Sequence, residues 1–231
     1  MALDSVFKKQ GKSLLVVFAP GKASFYPEFI PDRYSRKCDS TNYLYYRDAI
    51  SKSGIHFIDF NQWFMSMKRT SQVLLYPKTG IHWSDYGAVL AIDSINRYLA
   101  DWRGYDPVEV YWTELYQNDS VSTIDADIER GMNLLFPLEK PRLRYPKLQY
   151  VEAGRDKVRL FNVGDSFFWN IYGQDIAQHL FDSSSFGFYF REIHSPFLNG
   201  IVDRDRLDLK ALLDRHDVIM LMNTEATMLN F

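Results

Sequence analysis

The stretch Phe161-Asn-Val-Gly-Asp-Ser-Phe-Phe-Trp-Asn170 decides how the chain is read. Val158 to Val163 is an apolar run of strand length, and Gly164-Asp165-Ser166 has the composition of a tight turn. Phe167 to Leu180, apolar and aromatic, is expected to be a helix. A serine at a strand-to-helix turn presents its hydroxyl outward and keeps its own N–H near a helix N-terminus. Unpaired N–H groups there stabilise an oxyanion, so Ser166 is a candidate nucleophile. Gly-Asp-Ser is also a common turn and N-cap sequence, and that role alone would account for it.

Outward from this turn the chain alternates strands and helices. Ser13 to Ala19 is a continuous apolar run that suits a buried parallel strand. The loop Pro20-Gly-Lys-Ala-Ser-Phe-Tyr-Pro27 follows at its C-terminal end, where open α/β sheets place their sites. Lys22 and Tyr26 are therefore candidates for lining a pocket, against the plainer reading of a solvated lysine and a packing tyrosine. Thr41 to Ser53 reads as a helix stopped by Gly54, Ile55 to Phe60 as a strand, Asn61 to Lys68 as a helix and Val73 to Tyr76 as a strand. Beyond the GDS helix, Phe186 to His194 is strand-like, Asp205 to Asp214 helical, and Val218 to Met222 a last strand with Asn223-Thr224-Glu225 at its end. This rhythm predicts an α/β sandwich with a mostly parallel sheet.

A second stretch, Tyr76-Pro-Lys-Thr-Gly-Ile-His-Trp-Ser-Asp-Tyr-Gly87, precedes a helix expected over Ser84 to Trp102, with Ser84 as N-cap and Asp85 in the first turn. His82 sits there in a glycine- and aromatic-rich loop, unlike His56 within a strand. Histidine is the usual general base near neutral pH, which makes His82 a candidate. From Gly104 to Tyr150 the rhythm breaks. Val108 to Tyr116 alternates like a strand, Asp125 to Leu135 is expected to be a helix, and Pro137 to Pro146 is a Pro- and Arg-rich connection. We read residues 104–150 as an insertion in a single domain spanning 1–231. Asp125, Asp127 and Glu129 are explained by an acidic helix start better than by a cation site.

Composition narrows the function classes. The 231 residues are 46% hydrophobic, enough for a substantial core, and a net charge of −2 with interspersed signs argues against a nucleic-acid binder. The aromatic share of 16% suits carbohydrate faces as well as cores. The single cysteine, Cys38, excludes an internal disulfide and a cysteine-based zinc site. HExxH, P-loop and GxGxxG patterns are absent, and neither a metal nor an organic cofactor is expected. No apolar run reaches transmembrane length, and Met1 to Gln10 is no signal peptide, so the chain is either cytoplasmic or begins after a removed leader or anchor.

Ser166 and His82 on strand-end loops form the minimum for acyl transfer, and a triad needs an acid as well. Here the chain resembles a known group. GDSFFWN is similar to the nucleophile block of SGNH hydrolases, and the His-Trp of YPKTGIHWSDYGA to the Asp-x-His-Trp block of the alginate O-acetyltransferase group. LLVVFAPGKASFYPEFIP is similar to that group's opening strand and loop. Ordinary SGNH enzymes carry the serine block first; this group is circularly permuted, and here too His82 precedes Ser166. The resemblance implies a three-layer α/β/α sandwich and a serine-dependent O-acetyltransferase or acetylesterase acting on polysaccharide. It also implies a periplasmic or extracytoplasmic setting, membrane anchoring of a longer protein, and a membrane-bound O-acyltransferase as acetyl donor. Where the group has its acid, this chain has Gly80. Asp85 is nearest in sequence as a substitute, Asn223 is the candidate for the oxyanion site, and Trp83 for a sugar-facing wall. Restoring the acid as Gly80→Asp is expected to keep or raise activity where the backbone tolerates a side chain there. The missing acid also leaves open a catalytically inactive carbohydrate-binding or scaffold protein of an exopolysaccharide assembly.

Overall fold

The computed structural model describes residues 2–34, 40–117, 124–136, 138–139 and 143–230. Cys38 and part of the Pro137–Pro146 connection lie outside them. The strands are β1 (Ser13–Ala19), β2 (His56–Asp59), β3 (Glu109–Tyr116), β4 (Tyr145–Val151), β5 (Arg159–Gly164), β6 (Ser183–Phe188), β7 (Glu192–His194), β8 (Val202–Asp203) and β9 (Val218–Thr224). The helices are α1 (Ala2–Lys9), α2 (Lys22–Phe25), α3 (Asn42–Ser51), α4 (Phe60–Met67), α5 (Asp85–Arg103), α6 (Asp127–Met132), α7 (Trp169–Tyr172), α8 (Ile176–Leu180) and α9 (Leu209–Leu213). By internal packing the chain divides into two compact units, one of residues 1–63, 157–168 and 181–231, the other of residues 64–156 and 169–180.

The first unit holds a seven-stranded sheet in the order β2-β1-β9-β5-β6-β7-β8. Its first five strands are parallel, and β7 and β8 extend it antiparallel. The chain is thus a mixed α/β protein with a large, mostly parallel sheet. The apolar runs are continuous because both faces of the central strands are buried. On one face Leu14, Phe161, Val163 and Ile219 form a core with Phe7 of α1 and Leu212 of α9. Leu15, Leu160, Met220 and Met222 are buried on the other face. Parallel register brings the C-terminal ends of β1, β9 and β5 side by side, with Val17 opposite Met222 and Met222 opposite Gly164. That edge carries the loops after each strand.

The strand predicted at Phe186 to His194 is a hairpin, because Tyr189 and Phe190 take positive φ and reverse the chain between β6 and β7. The helix predicted over Phe167 to Leu180 is broken. A 3₁₀ turn at Ser166–Phe168 leads into α7, and Asp175 at φ 58° separates α7 from α8.

The second unit holds α5 and an antiparallel pair, β3 with β4. β4 starts inside the stretch read as a Pro-rich connection, because Pro146 falls at the irregular end of the ladder where its missing N–H costs little. Val73 to Tyr76, read as a strand, is a loop in which Val73, Leu75 and Tyr76 are buried and Leu74 is exposed. Its carbonyls accept from Ser84 instead of from a neighbouring strand: Ser84 N–H bonds Leu75 O at 2.8 Å and Ser84 Oγ bonds Leu74 O at 2.6 Å. Ser84 also caps α5 through the Gly87 N–H at 3.1 Å, as the sequence predicts.

Candidate active site

The serine turn belongs to the first unit. Gly164 ends β5 so close to β9 that a Cβ would collide with the Met222 carbonyl, so only glycine fits. Asp165 is buried, and its carboxylate gathers four donors. Oδ2 accepts from Thr224 N–H at 2.9 Å, Thr224 Oγ1 at 2.8 Å and Thr227 Oγ1 at 2.7 Å, and Oδ1 accepts from Phe167 N–H at 3.0 Å. Asp165 therefore ties the turn to the end of β9, and Ser166 stands half-buried at the head of the 3₁₀ turn. Asn223 lies in the neighbouring β9, one residue before Thr224, with its side-chain oxygen buried and unbonded. Lys22 and Tyr26 lie on and just after α2 at the end of β1, on this same sheet edge. The Lys22 ammonium is 5.9 Å from the Tyr26 ring centre, and Tyr26 packs edge-on against Phe25. Burial, and secondarily Glu28, raises the Tyr26 hydroxyl above its ordinary pKa.

The histidine loop belongs to the second unit, and there it has an acid. His82 Nδ1 lies 2.8 Å from Asp127 Oδ2, while Asp127 Oδ1 accepts the Ile81 N–H at 2.7 Å. Desolvation alone would raise the Asp127 carboxyl. The bonds from His82, Ile81 and the Ile128 N–H outweigh it, and the group ends below the usual carboxylate range. A carboxylate on Nδ1 requires the proton there, which leaves Nε2 with the lone pair a general base uses. Asp127 is the first residue of α6, 45 residues after the histidine, in the segment read as an acidic helix start.

Gly80 leaves no room for a side chain of its own. Two bonds lock the 79–81 backbone onto the 124–129 segment: Thr79 Oγ1 to Asp125 O at 2.9 Å and Glu129 N–H to Thr79 O at 3.1 Å. Tyr145 of β4 donates to Asp125 Oδ2 at 2.9 Å and anchors that segment in turn. A Cβ at position 80 would lie 2.7 Å from Ile124 O and 2.8 Å from Asp125 O. The space a side chain would occupy is filled by the backbone at Ile124 and Asp125, so the condition on which the Gly80→Asp expectation rests, a backbone that tolerates a side chain, is not met.

Two further expectations are corrected. Asp85 is not the acid on His82 Nδ1: its Oδ1 accepts from Gln174 at 2.7 Å and Asn170 at 3.2 Å. Burial raises the Asp85 carboxyl, with those two bonds opposing. Trp83 is fully buried and packs on Phe64 at 6.0 Å, so its ring offers no face to a sugar. Among the described residues no group of three His, Cys, Asp or Glu is placed to hold a metal ion.

Residues 2–114 match the family model of the SGNH hydrolase-like domain of acetyltransferase AlgX. No curated protein matches the chain significantly in sequence. Among solved structures it is similar to the O-acetyltransferase domain of Pseudomonas putida AlgJ, at 13% identity and TM-score 0.60 over 97% of this chain and 79% of that one. It is similar to Bacillus cereus PatB1 bearing a sulfonyl adduct, at 13% identity and TM-score 0.56 over 98% and 85% of the two chains. Against Pseudomonas aeruginosa AlgX the identity is 12% and the TM-score 0.57, over 96% of this chain but 55% of that one. In sequence across its first half and in fold across nearly its whole length, the chain resembles the SGNH hydrolase-like, alginate O-acetyltransferase-like group.

Proposed function

We propose that the protein is a serine-dependent carbohydrate O-acetyltransferase, with acetylesterase activity when water is the acceptor. His82 takes the Ser166 hydroxyl proton on Nε2 while Asp127 steadies the imidazolium through Nδ1. Ser166 Oγ attacks the carbonyl carbon of an acetyl ester, and the alkoxide leaves with the proton that His82 returns. A sugar hydroxyl, deprotonated by His82 in its turn, then takes the acetyl group and regenerates the serine. The Ser166 N–H serves the oxyanion, with Asn223 as the candidate second donor. The substrate is a polysaccharide, with Lys22 and Tyr26 lining its approach. The setting is periplasmic, with a membrane-bound O-acyltransferase as the acetyl donor.

The His82–Asp127 bond of 2.8 Å carries this reading, because it supplies the oriented histidine that Gly80 seemed to deny. The scaffold alternative rested on that missing acid and loses its main support. The test is release of alcohol from a chromogenic acetyl ester, with and without an acetyl-free acidic oligosaccharide as acceptor. We expect turnover, and an acetylated oligosaccharide when the acceptor is present. Glycan binding without any turnover would favour the scaffold.

A further inference from the structure

Of Asn223-Thr224-Glu225 at the end of β9, the first two have places in the site and Glu225 has none. Asp165 Oδ2 holds both ends of the turn that carries it. Thr224 donates from its N–H at 2.9 Å and its Oγ1 at 2.8 Å, and Thr227 Oγ1 donates at 2.7 Å. The Thr227 N–H closes the turn on Thr224 O at 3.1 Å. The carboxylate that fixes the Ser166 turn therefore fixes Glu225 as well, and both stand on the C-terminal edge of the sheet. The Glu225 side chain leans toward the loop after β1. A Cβ at position 21 would lie 3.4 Å from Glu225 Cγ and 3.6 Å from its Oε1. Gly21 has a φ of −76°, open to any residue, so what the glycine supplies there is room.

The Glu225 carboxylate is half-buried, and among the described residues it neither accepts a hydrogen bond nor joins an ion pair. Its charge reaches Tyr43, whose hydroxyl is raised first by burial, then by its bond to Asp59, and least by Glu225. The Tyr43 hydroxyl and the Arg47 guanidinium are both committed to Asp59, each at 2.8 Å, so neither answers Glu225. A carboxylate is an acceptor with two oxygens, and partial burial makes it costly to leave without donors. Neighbouring hydroxyls on a sugar ring supply a matching pair of O–H donors, and hydrogen bonds to a charged acceptor are the strong kind. A phosphate or other small anion would be repelled from the same place. On the reading of Ser166 as the acetyl carrier, we propose that Glu225 holds the acceptor sugar by two neighbouring hydroxyls, leaving another hydroxyl of that sugar to take the acetyl group.

The first measurement is calorimetric titration of wild type and Glu225→Gln with cellotetraose and with tetragalacturonate, a neutral and an acidic chain that both carry neighbouring free hydroxyls. Glutamine keeps the size but removes the charge and one acceptor oxygen. Binding of whichever chain wild type takes is expected to weaken about tenfold or more. The carboxylate bonds no other described residue, so Tm should stay at the wild-type value. The second measurement is the partition of acetyl from a chromogenic ester between that chain and water. At a fixed concentration of the chain, the ratio of transfer to hydrolysis is expected to fall about tenfold in Glu225→Gln. Binding of neither chain, equal binding by the two proteins, or an unchanged partition would each overturn the proposal. Ester turnover with an unchanged partition would leave the Ser166 reading standing and sink this one alone. A wild type that turns over no ester would remove both.

Discussion

The carboxylate of Asp127 meets Nδ1 of His82 at 2.8 Å across a gap of 45 residues, and its second oxygen holds the N–H of Ile81 beside that histidine. One side chain thus fixes both the ring and the loop that carries it. The bonds that bring it there, from Thr79, Glu129 and Tyr145, all involve residues flanking Gly80 or Asp125.

Replacing that acid tests its role. Asp127→Asn keeps the size but loses the charge and can turn its amide toward the imidazole, favouring the wrong tautomer. We expect acetyl-ester kcat to fall by roughly 10²–10⁴-fold, with the melting temperature within a few degrees of wild type. Steady-state kinetics and a thermal melt together check this. Full activity would mean that His82 is oriented by another group.

Gly80 tolerates no side chain. Gly80→Ala places a methyl group under 3 Å from the backbone at Ile124 and Asp125, so the 124–129 segment must shift. A cost of about 1–3 kcal/mol is expected for such overpacking, along with reduced turnover as Asp127 is pushed away. Gly80→Asp should behave as badly or worse. Parallel melts and esterase rates on both variants check it, and a gain in rate for Gly80→Asp would contradict the packing described.

Asp165 should matter through stability first. Asp165→Asn puts an amide donor where four donors converge, so either the Phe167 N–H bond or those of Thr224 and Thr227 must be disrupted, depending on which way the amide turns. Losing charged hydrogen bonds at a buried site costs about 1.5–3 kcal/mol. Denaturant unfolding at neutral pH measures this directly. An unchanged midpoint would show that the serine turn does not depend on its strut.

His216 predicts an acid-sensitive fold. It is buried, with Nδ1 bonded to Leu212 O and Nε2 to Ser185 Oγ, both at 2.8 Å. Burial foremost, with help from the nearby Lys12 and Arg159 charges, pushes its pKa down from 6.5 to about 4. The neutral ring therefore favours the folded state fully above pH 6.5, and this contribution fades as pH falls from 6.5 toward 4. Wild type should lose on the order of 1–3 kcal/mol from this group over that window. His216→Gln should be less stable at pH 7 but show a flatter decline. Melting temperatures of both proteins from pH 7 to pH 4 check it; parallel curves would refute the assignment.

The parts legible in the sequence were those set by local chemistry. Ser13–Ala19 is a strand with those bounds, Ser84 caps α5, and the strand read at Val158 to Val163 is β5, which runs one residue later at Arg159–Gly164. The break at Asp175 and the hairpin at Tyr189 escaped, because non-glycine residues at positive φ leave no compositional mark. Val73 to Tyr76 misled for another reason: apolar β-formers can be buried as loop when a cap residue takes their carbonyls. Asp127 was visible only as one of three acids at a helix start. Its pairing with His82 depends on how the 124–129 segment packs on Gly80, which spacing along the chain does not encode. The cue available was negative: Gly80 stands where the group this chain resembles carries its acid, which left a dyad, a substitute carboxylate and an inactive protein all open.

Whether Ser166 carries the acetyl group is tested most directly by intact-mass spectrometry of the protein quenched during turnover of an acetyl ester. A single acetyl adduct is expected that maps to Ser166, accumulates without an acceptor and disappears when an oligosaccharide is added. Ser166→Ala should show neither adduct nor turnover, with a stability change of no more than about 1 kcal/mol. Wild-type rates in Ser166→Ala, or an adduct on another residue that turns over at the same rate, would contradict it.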